Sequence, residues 1–313
     1  MNSVPLADIL PWGFENPPTG GRTVLICDSS ETDGRFLLHT IASQCLSSKS
    51  SKKESFNIIW INCGMKTDGQ IRAAMKKIGS DIRSNEELVD IVPVIPHLSQ
   101  QHAGESDLLS DQDYLKKVYR QVKSKTLTMS KYMIIIDNCS SLSTYFGATL
   151  TYTFVQKMRT LIRKQSNEKD AGLVILASHD LDQEHYIHST NQEQRSVAGN
   201  KKLQYIGAGG RGMLHDSETM AGLELDAGYE LDEMVWERAL VELADGIVDV
   251  VPLASGFAKD VHGRLVFTSR LGGGLGWKKE DKASQAKNNF STTLVNYCCS
   301  DAGIRAIRLR VGS

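Results

Sequence analysis

The sequence predicts an α/β fold: a mostly parallel β-sheet flanked by helices and completed by antiparallel hairpins near the C terminus. Three observations carry that expectation. The apolar runs KYMIIID (131–137) and GLVILA (172–177) are continuous instead of alternating, as strands buried on both faces are. Such runs alternate with helical periodicities, the order of a sheet covered by crossover helices. Two further pairs of short strands surround glycine-containing turns late in the chain.

The elements follow in order. Pro11 to Gly21 (PWGFENPPTGG) is crowded with breakers, so residues 1–21 read as an entry segment and residues 22–313 as a single domain. Arg22 to Cys27 forms the first strand. From Phe36 to Leu46, the residues Phe36, Leu37, His39, Thr40, Ile41 and Cys45 fall close to a helical repeat. Phe56 to Ile61 is the second strand. Asp68 to Gly79 is a helix with Asp68 near its cap and Ile71, Ala74, Met75 and Ile78 on one face. Leu88 to Ile95 is a third strand, with Pro93 marking its end or a sheet edge. A helix from Asp113 to Lys123 carries Leu115, Val118, Tyr119 and Val122, and Lys131 to Asp137 is the fourth strand. A helix from Tyr152 to Arg163 precedes the fifth, Gly172 to Ala177.

Residues 181–230 break this rhythm, being rich in Gln, Asn, Glu, Ser and Gly, and are expected to form a long, mobile surface insertion. Beyond it, Ile247 to Leu253 and Arg264 to Ser269 flank the turn Asp260-Val-His-Gly263. Thr293 to Cys299 and Ile304 to Val311 flank Ser300-Asp-Ala-Gly303.

Composition excludes several classes. With 36 Lys+Arg against 37 Asp+Glu, the formal net charge is -1, so no global basic field draws the chain to nucleic acid or membrane. Hydrophobic residues at 41% and charged residues at 23% supply a sizeable core. Met1 to Asp8 does not read as a signal peptide, and no apolar run approaches the ~20 residues that cross a bilayer. The six cysteines include no Cys-x-x-Cys pair and read as reduced, mostly buried thiols of an intracellular protein.

The strand-loop-helix at DSSETDGRF (28–36) stands where a nucleotide-binding protein keeps its phosphate loop. A working loop has the pattern G-x-x-x-x-G-K-[ST]: backbone N–H groups cradle phosphate, the lysine neutralises it and the hydroxyl ligates Mg²⁺. Here Ser29 replaces the first glycine and Gly34 is kept. Arg35 takes the lysine place and Phe36 the hydroxyl place, while Glu31 and Asp33 add negative charge. An acidic N-terminal cap of the following helix is the better reading, and no bound cofactor or metal is expected. Asp137 ends an apolar strand as a metal-holding carboxylate would, but a cap for the next turn, shared with Asn138, competes with that role.

His185 and His188 have helical ligand spacing without a second pair to complete a zinc site. Ser178, His179 and Asp180 are neighbours on an extended segment and so point apart. Arg270, before the glycine-rich stretch 272–276, is placed to offer a cation to a neighbouring subunit, with a solvated strand-end arginine as the alternative.

Two stretches carry a family resemblance. Val24-Leu-Ile-Cys-Asp28 with Thr32-Asp-Gly34 and Phe36-Leu-Leu-His39, and Ala254-Ser-Gly-Phe-Ala-Lys-Asp-Val-His-Gly-Arg-Leu265, resemble the corresponding segments of the Elongator complex protein 6 family. The resemblance implies a RecA-like fold without functional nucleotide motifs. It also implies assembly with the fourth and fifth Elongator subunits into a six-membered ring that binds tRNA and joins the catalytic Elongator subunits, which begin modification of the wobble uridine. Location in the cytoplasm, and also the nucleus, goes with it. By that resemblance the loops Asn138 to Tyr145 and Asp180 to Tyr229 face the ring's pore. Arg195, Lys201, Lys202 and Arg211 in the second are candidate contacts for RNA phosphates, with a solvated loop as the competing reading.

Three functions are thus set against one another: a ring subunit that acts by assembly, a divergent RecA-like ATPase using Arg35, and a free-standing RNA-binding protein. The last lacks both the basic face and the aromatic cluster it needs.

Overall fold

A computed structural model of the chain describes residues 3–6, 10, 17–47, 56–64, 66–77, 86–94, 110–166, 169–178, 233–253, 261–270, 290–300 and 303–307. The chain divides into two compact units, Met1–His179 with Glu230–Ser313, and Asp180–Tyr229. The second lies outside the described residues, and with it His185, His188, Arg195, Lys201, Lys202 and Arg211.

The strands are β1 (Ser3–Pro5), β2 (Arg22–Asp28), β3 (Asn57–Asn62), β4 (Val89–Pro93), β5 (Lys131–Asp137), β6 (Asp170–Ser178), β7 (Gly246–Val251), β8 (Gly263–Arg270), β9 (Phe290–Ser300) and β10 (Gly303–Ile307). They form one sheet in the order β1-β10-β9-β8-β7-β2-β6-β5-β3-β4. From β4 to β7 every neighbouring pair is parallel. From β7 to β1 every pair is antiparallel. The predicted architecture of a mostly parallel sheet with antiparallel C-terminal strands is the one found.

The continuous apolar runs are explained by two-sided burial. In β5, Tyr132, Ile134 and Ile136 enter one apolar layer, and Met133 and Ile135 the other. The first layer is closed by α3 (Asp111–Leu127), α4 (Cys139–Phe146), α5 (Ala148–Gln165) and α6 (Glu233–Leu243). The second is closed by α1 (Arg35–Ser47) and α2 (Asp68–Lys77), through Leu37, Leu38, Ile41, Ile71 and Met75. Each side chain so buried contributes roughly 1.5–3 kcal/mol relative to exposure. The antiparallel strands extend the second layer with Val248, Val250, Leu265, Phe267, Val295 and Tyr297.

Two expectations need correction, and two elements are added to them. Residues 139–146 are helical: Asn138 adopts φ 65° and its side chain accepts the Ser141 N–H, and Cys139 and Leu142 anchor the turn in the core. The loop expected from Asn138 to Tyr145 is therefore α4. Residues 233–243, passed over in the sequence, form α6, held by Trp236, Leu240 and Leu243 one and two turns apart. The two C-terminal hairpins are not separate, because β8 pairs with β9. Within the entry segment, Ser3–Pro5 pairs with Arg305–Ile307. Pro93 is both a strand end and an edge residue, β4 being the outermost strand.

Candidate functional site

The degenerate loop lies at the C-terminal end of β2, between the ends of β6 and β7. It folds back on itself through a bridge between Ser29 and Thr32, whose N–H donates to the Ser29 carbonyl at 3.1 Å. Four further amides are occupied as well. Ser29 N–H donates to Thr32 Oγ1 at 3.1 Å and Glu31 N–H to Ser29 Oγ at 3.3 Å. Gly34 N–H donates to Asp28 Oδ2 at 2.8 Å and Arg35 N–H to Asp33 Oδ1 at 2.9 Å. In a working loop such amides, at the positive end of the helix, receive the phosphates. Here two carboxylates of the chain itself take that place.

Gly34 is required for a different reason than the turn. A Cβ there would stand 2.9 Å from Leu176 Cδ1, 3.1 Å from Ile26 Cγ2 and 3.2 Å from Asp28 Cβ, so its absence lets α1 start hard against β2 and β6. The residue serves packing of helix on sheet.

Arg35, in the lysine position, turns inward. Its Nε lies 3.5 Å from Asp137 Oδ1, and its Nη1 lies 4.0 Å from Asp33 Oδ2. The Asp137 side chain is only 2% exposed, against 32% for Arg35. Burial pushes the Asp137 carboxyl up from its ordinary value, opposed by the Arg35 and Lys66 cations and by the Trp60 indole N–H, which closes no hydrogen bond of good geometry. Asp28 is raised for the same first cause, burial, with Ser178 and the Gly34 N–H opposing it. The capping role weighed for Asp137 belongs to Asn138 alone.

Phe36 stands in the position of the metal-ligating hydroxyl and packs its ring on Tyr297, with centroids 4.8 Å apart at 37°. Tyr297 in turn lies over Gly263. Its carbonyl accepts the His262 N–H at 2.9 Å, while His262 Nδ1 accepts the Cys299 N–H at 2.8 Å. Phe36 and Gly263, far apart in the chain, therefore both lie against Tyr297. A Cβ on Gly263 would come within 2.7 Å of the Tyr297 hydroxyl oxygen and 2.8 Å of its ring. Gly263→Ala is expected to lower stability by about 1–2 kcal/mol by overpacking, read from urea unfolding, and Tyr297→Leu in the same chain should recover part of that loss.

Behind the loop, His39 stacks on Trp60 with centroids 5.0 Å apart at 18°. Its Nδ1 has no hydrogen-bond partner, and burial, with Lys66 and Arg35 nearby, pushes its pKa down to about 4. Neither Lys66 nor the His39–Trp60 stack was foreseen as part of this region. Lys66 is held there by its loop: Asn62 Nδ2 donates to the Lys66 carbonyl at 2.6 Å and Gly64 N–H to Asn62 Oδ1 at 3.2 Å. A buried Asn closing a strand just before a Lys was the signal available.

Among the described residues no group of three or more His, Cys, Asp and Glu side chains is placed to hold a metal ion. No helix is long and apolar enough to cross a membrane, again among those residues. Arg270 is the last residue of β8, in register with Phe290, and its side chain lies outside the described residues, as do His179 and Asp180.

One strand, β6, separates the loop-bearing β2 from the acid-bearing β5. That order, with the antiparallel strands added beyond β7, is a RecA-like fold, here with its phosphate loop filled by its own side chains. No family model matches the chain, and no curated protein matches it. Among solved structures it is similar to a KaiC-like protein from the hyperthermophilic archaeon Pyrococcus horikoshii, at 12% identity and a TM-score of 0.48, over 97% of this chain and 96% of that one.

Proposed function

We propose that the chain is a non-catalytic RecA-like subunit of the Elongator complex. In this reading it assembles with the related fourth and fifth subunits into a hexameric ring that binds tRNA and supports modification of the wobble uridine by the catalytic subunits. The observation that carries the non-catalytic part is the filled loop. Asp28 and Asp33 occupy the Gly34 and Arg35 amides, and Arg35 itself is turned onto Asp137. The partners rest on the two stretches that resemble the Elongator complex protein 6 family. Cytoplasm and nucleus are the compartments that go with that assignment.

Co-expression with the fourth and fifth subunits should yield a stoichiometric complex that survives gel filtration, and calorimetry on the isolated chain should detect no ATP binding at micromolar concentrations. Failure to assemble removes the Elongator assignment. Micromolar ATP affinity would replace this reading by that of a divergent ATPase in which Arg35 serves for lysine.

A further inference from the structure

We infer that the degenerate loop is a clasp that fastens the C-terminal antiparallel strands to the parallel part of the sheet. The seam between the two parts is its shortest parallel ladder: β2 pairs with β6 from Arg22 to Asp28, but with β7 only from Val24 to Cys27. At one end the seam is pinned by Asp245, whose N–H donates to the Thr23 carbonyl at 2.8 Å and whose Oδ2 accepts the Thr23 N–H at 2.9 Å. Arg163 braces the same carboxylate at 2.9 Å.

The other end is where the loop sits. Thr32 Oγ1 donates to the Val250 carbonyl on β7 at 2.9 Å, beyond the last paired residue of β2. Phe36 reaches past β7 and β8 to Tyr297 on β9. On the opposite side Arg35 reaches past β6 to Asp137 on β5. Three side chains within five residues thus span the sheet from β5 to β9. A ligand-binding loop must be free to exchange its contacts, whereas this one has its Gly34 and Arg35 amides, its Thr32 hydroxyl and its Phe36 ring committed to the fold.

The clasp does not depend on the partners proposed above, and its test uses the full chain without nucleotide. Hydrogen exchange followed by mass spectrometry is measured on the wild type, Thr32→Val and Phe36→Ala. Exchange of β8 and β9 amides should accelerate at least about fivefold in Thr32→Val, which loses the hydroxyl's bond to the Val250 carbonyl and the one it accepts from the Ser29 N–H, and more in Phe36→Ala, while β3 and β5 amides change less than about twofold. Thr32→Val exchanges a hydroxyl for a methyl of similar size and keeps the test valid if Phe36→Ala does not fold. Uniform acceleration across all strands, or none in β8 and β9, overturns the inference. Because neither ATP nor a partner is present, a failed clasp and a failed Elongator assignment give different results.

Discussion

Replacing Arg35 by Ala lowers the stability of the folded chain by about 2–3 kcal/mol at neutral pH, measured by urea unfolding. Breaking a buried ion pair from one side leaves the other charge without compensation, and the figure is set below the usual range because Arg35 is a third exposed and its Nε stands 3.5 Å from the carboxylate. The charge left behind is that of Asp137, already disfavoured by burial. Asp137→Asn in the same chain should therefore recover most of the loss. The sign with pH is fixed as well. A carboxyl raised in the folded state above its ordinary 3.8 destabilises the fold as pH rises through that interval, so the deficit of the Arg35 variant must shrink on acidification. A deficit that stays constant down to acid pH, or that Asp137→Asn leaves untouched, would show that Arg35 acts by packing alone.

Replacing His39 by Phe removes a stability loss of about 3 kcal/mol that the wild type suffers on acidification. The folded imidazole titrates at about 4 against an ordinary 6.5, so it stays neutral in the fold while the unfolded chain takes up a proton. Its contribution is complete above 6.5 and is lost as pH falls toward 4, at ~1.4 kcal/mol per unit. Asp28 and Asp137, both raised, slope in the opposite direction, so the quantity to compare is wild type minus variant. Phenylalanine keeps a ring against Trp60 and removes a nitrogen that has no partner. Parallel pH profiles for the two proteins would place the acid sensitivity elsewhere.

The sheet was readable because β2, β5 and β6 are buried on both faces, and two-sided burial writes itself as an unbroken apolar run. The helices escaped where tertiary packing overrode local signals. In α4, Ser140, Ser141, Ser143 and Thr144 read as loop, and only burial of Cys139 and Leu142 makes a helix of them. In α6 the spacing of Trp236, Leu240 and Leu243 was present, but it followed a long polar stretch that drew no helical reading.

At the site, the substitutions Ser29, Arg35 and Phe36 were visible as losses. What replaced them was not. That Asp28 takes the Gly34 amide, that Arg35 swings to Asp137 and that Phe36 meets Tyr297 all depend on strand order, which brings residue 36 to residue 297 and cannot be read from spacing along the chain.

The strand order also has a consequence for synthesis on the ribosome. The first long strand to emerge, β2, has both its neighbours much later in the chain, at 170–178 and 246–251. Until those residues appear, Val24 to Cys27 have no ladder on either side, although β3, β4 and β5 can already pair among themselves. The nascent chain therefore carries an unpaired apolar strand from residue 28 until residue 170 at the earliest, the condition under which sheets of high contact order aggregate or recruit chaperones. A release at residue 165 would leave β2 with no partner at all, while one at residue 253 would supply both.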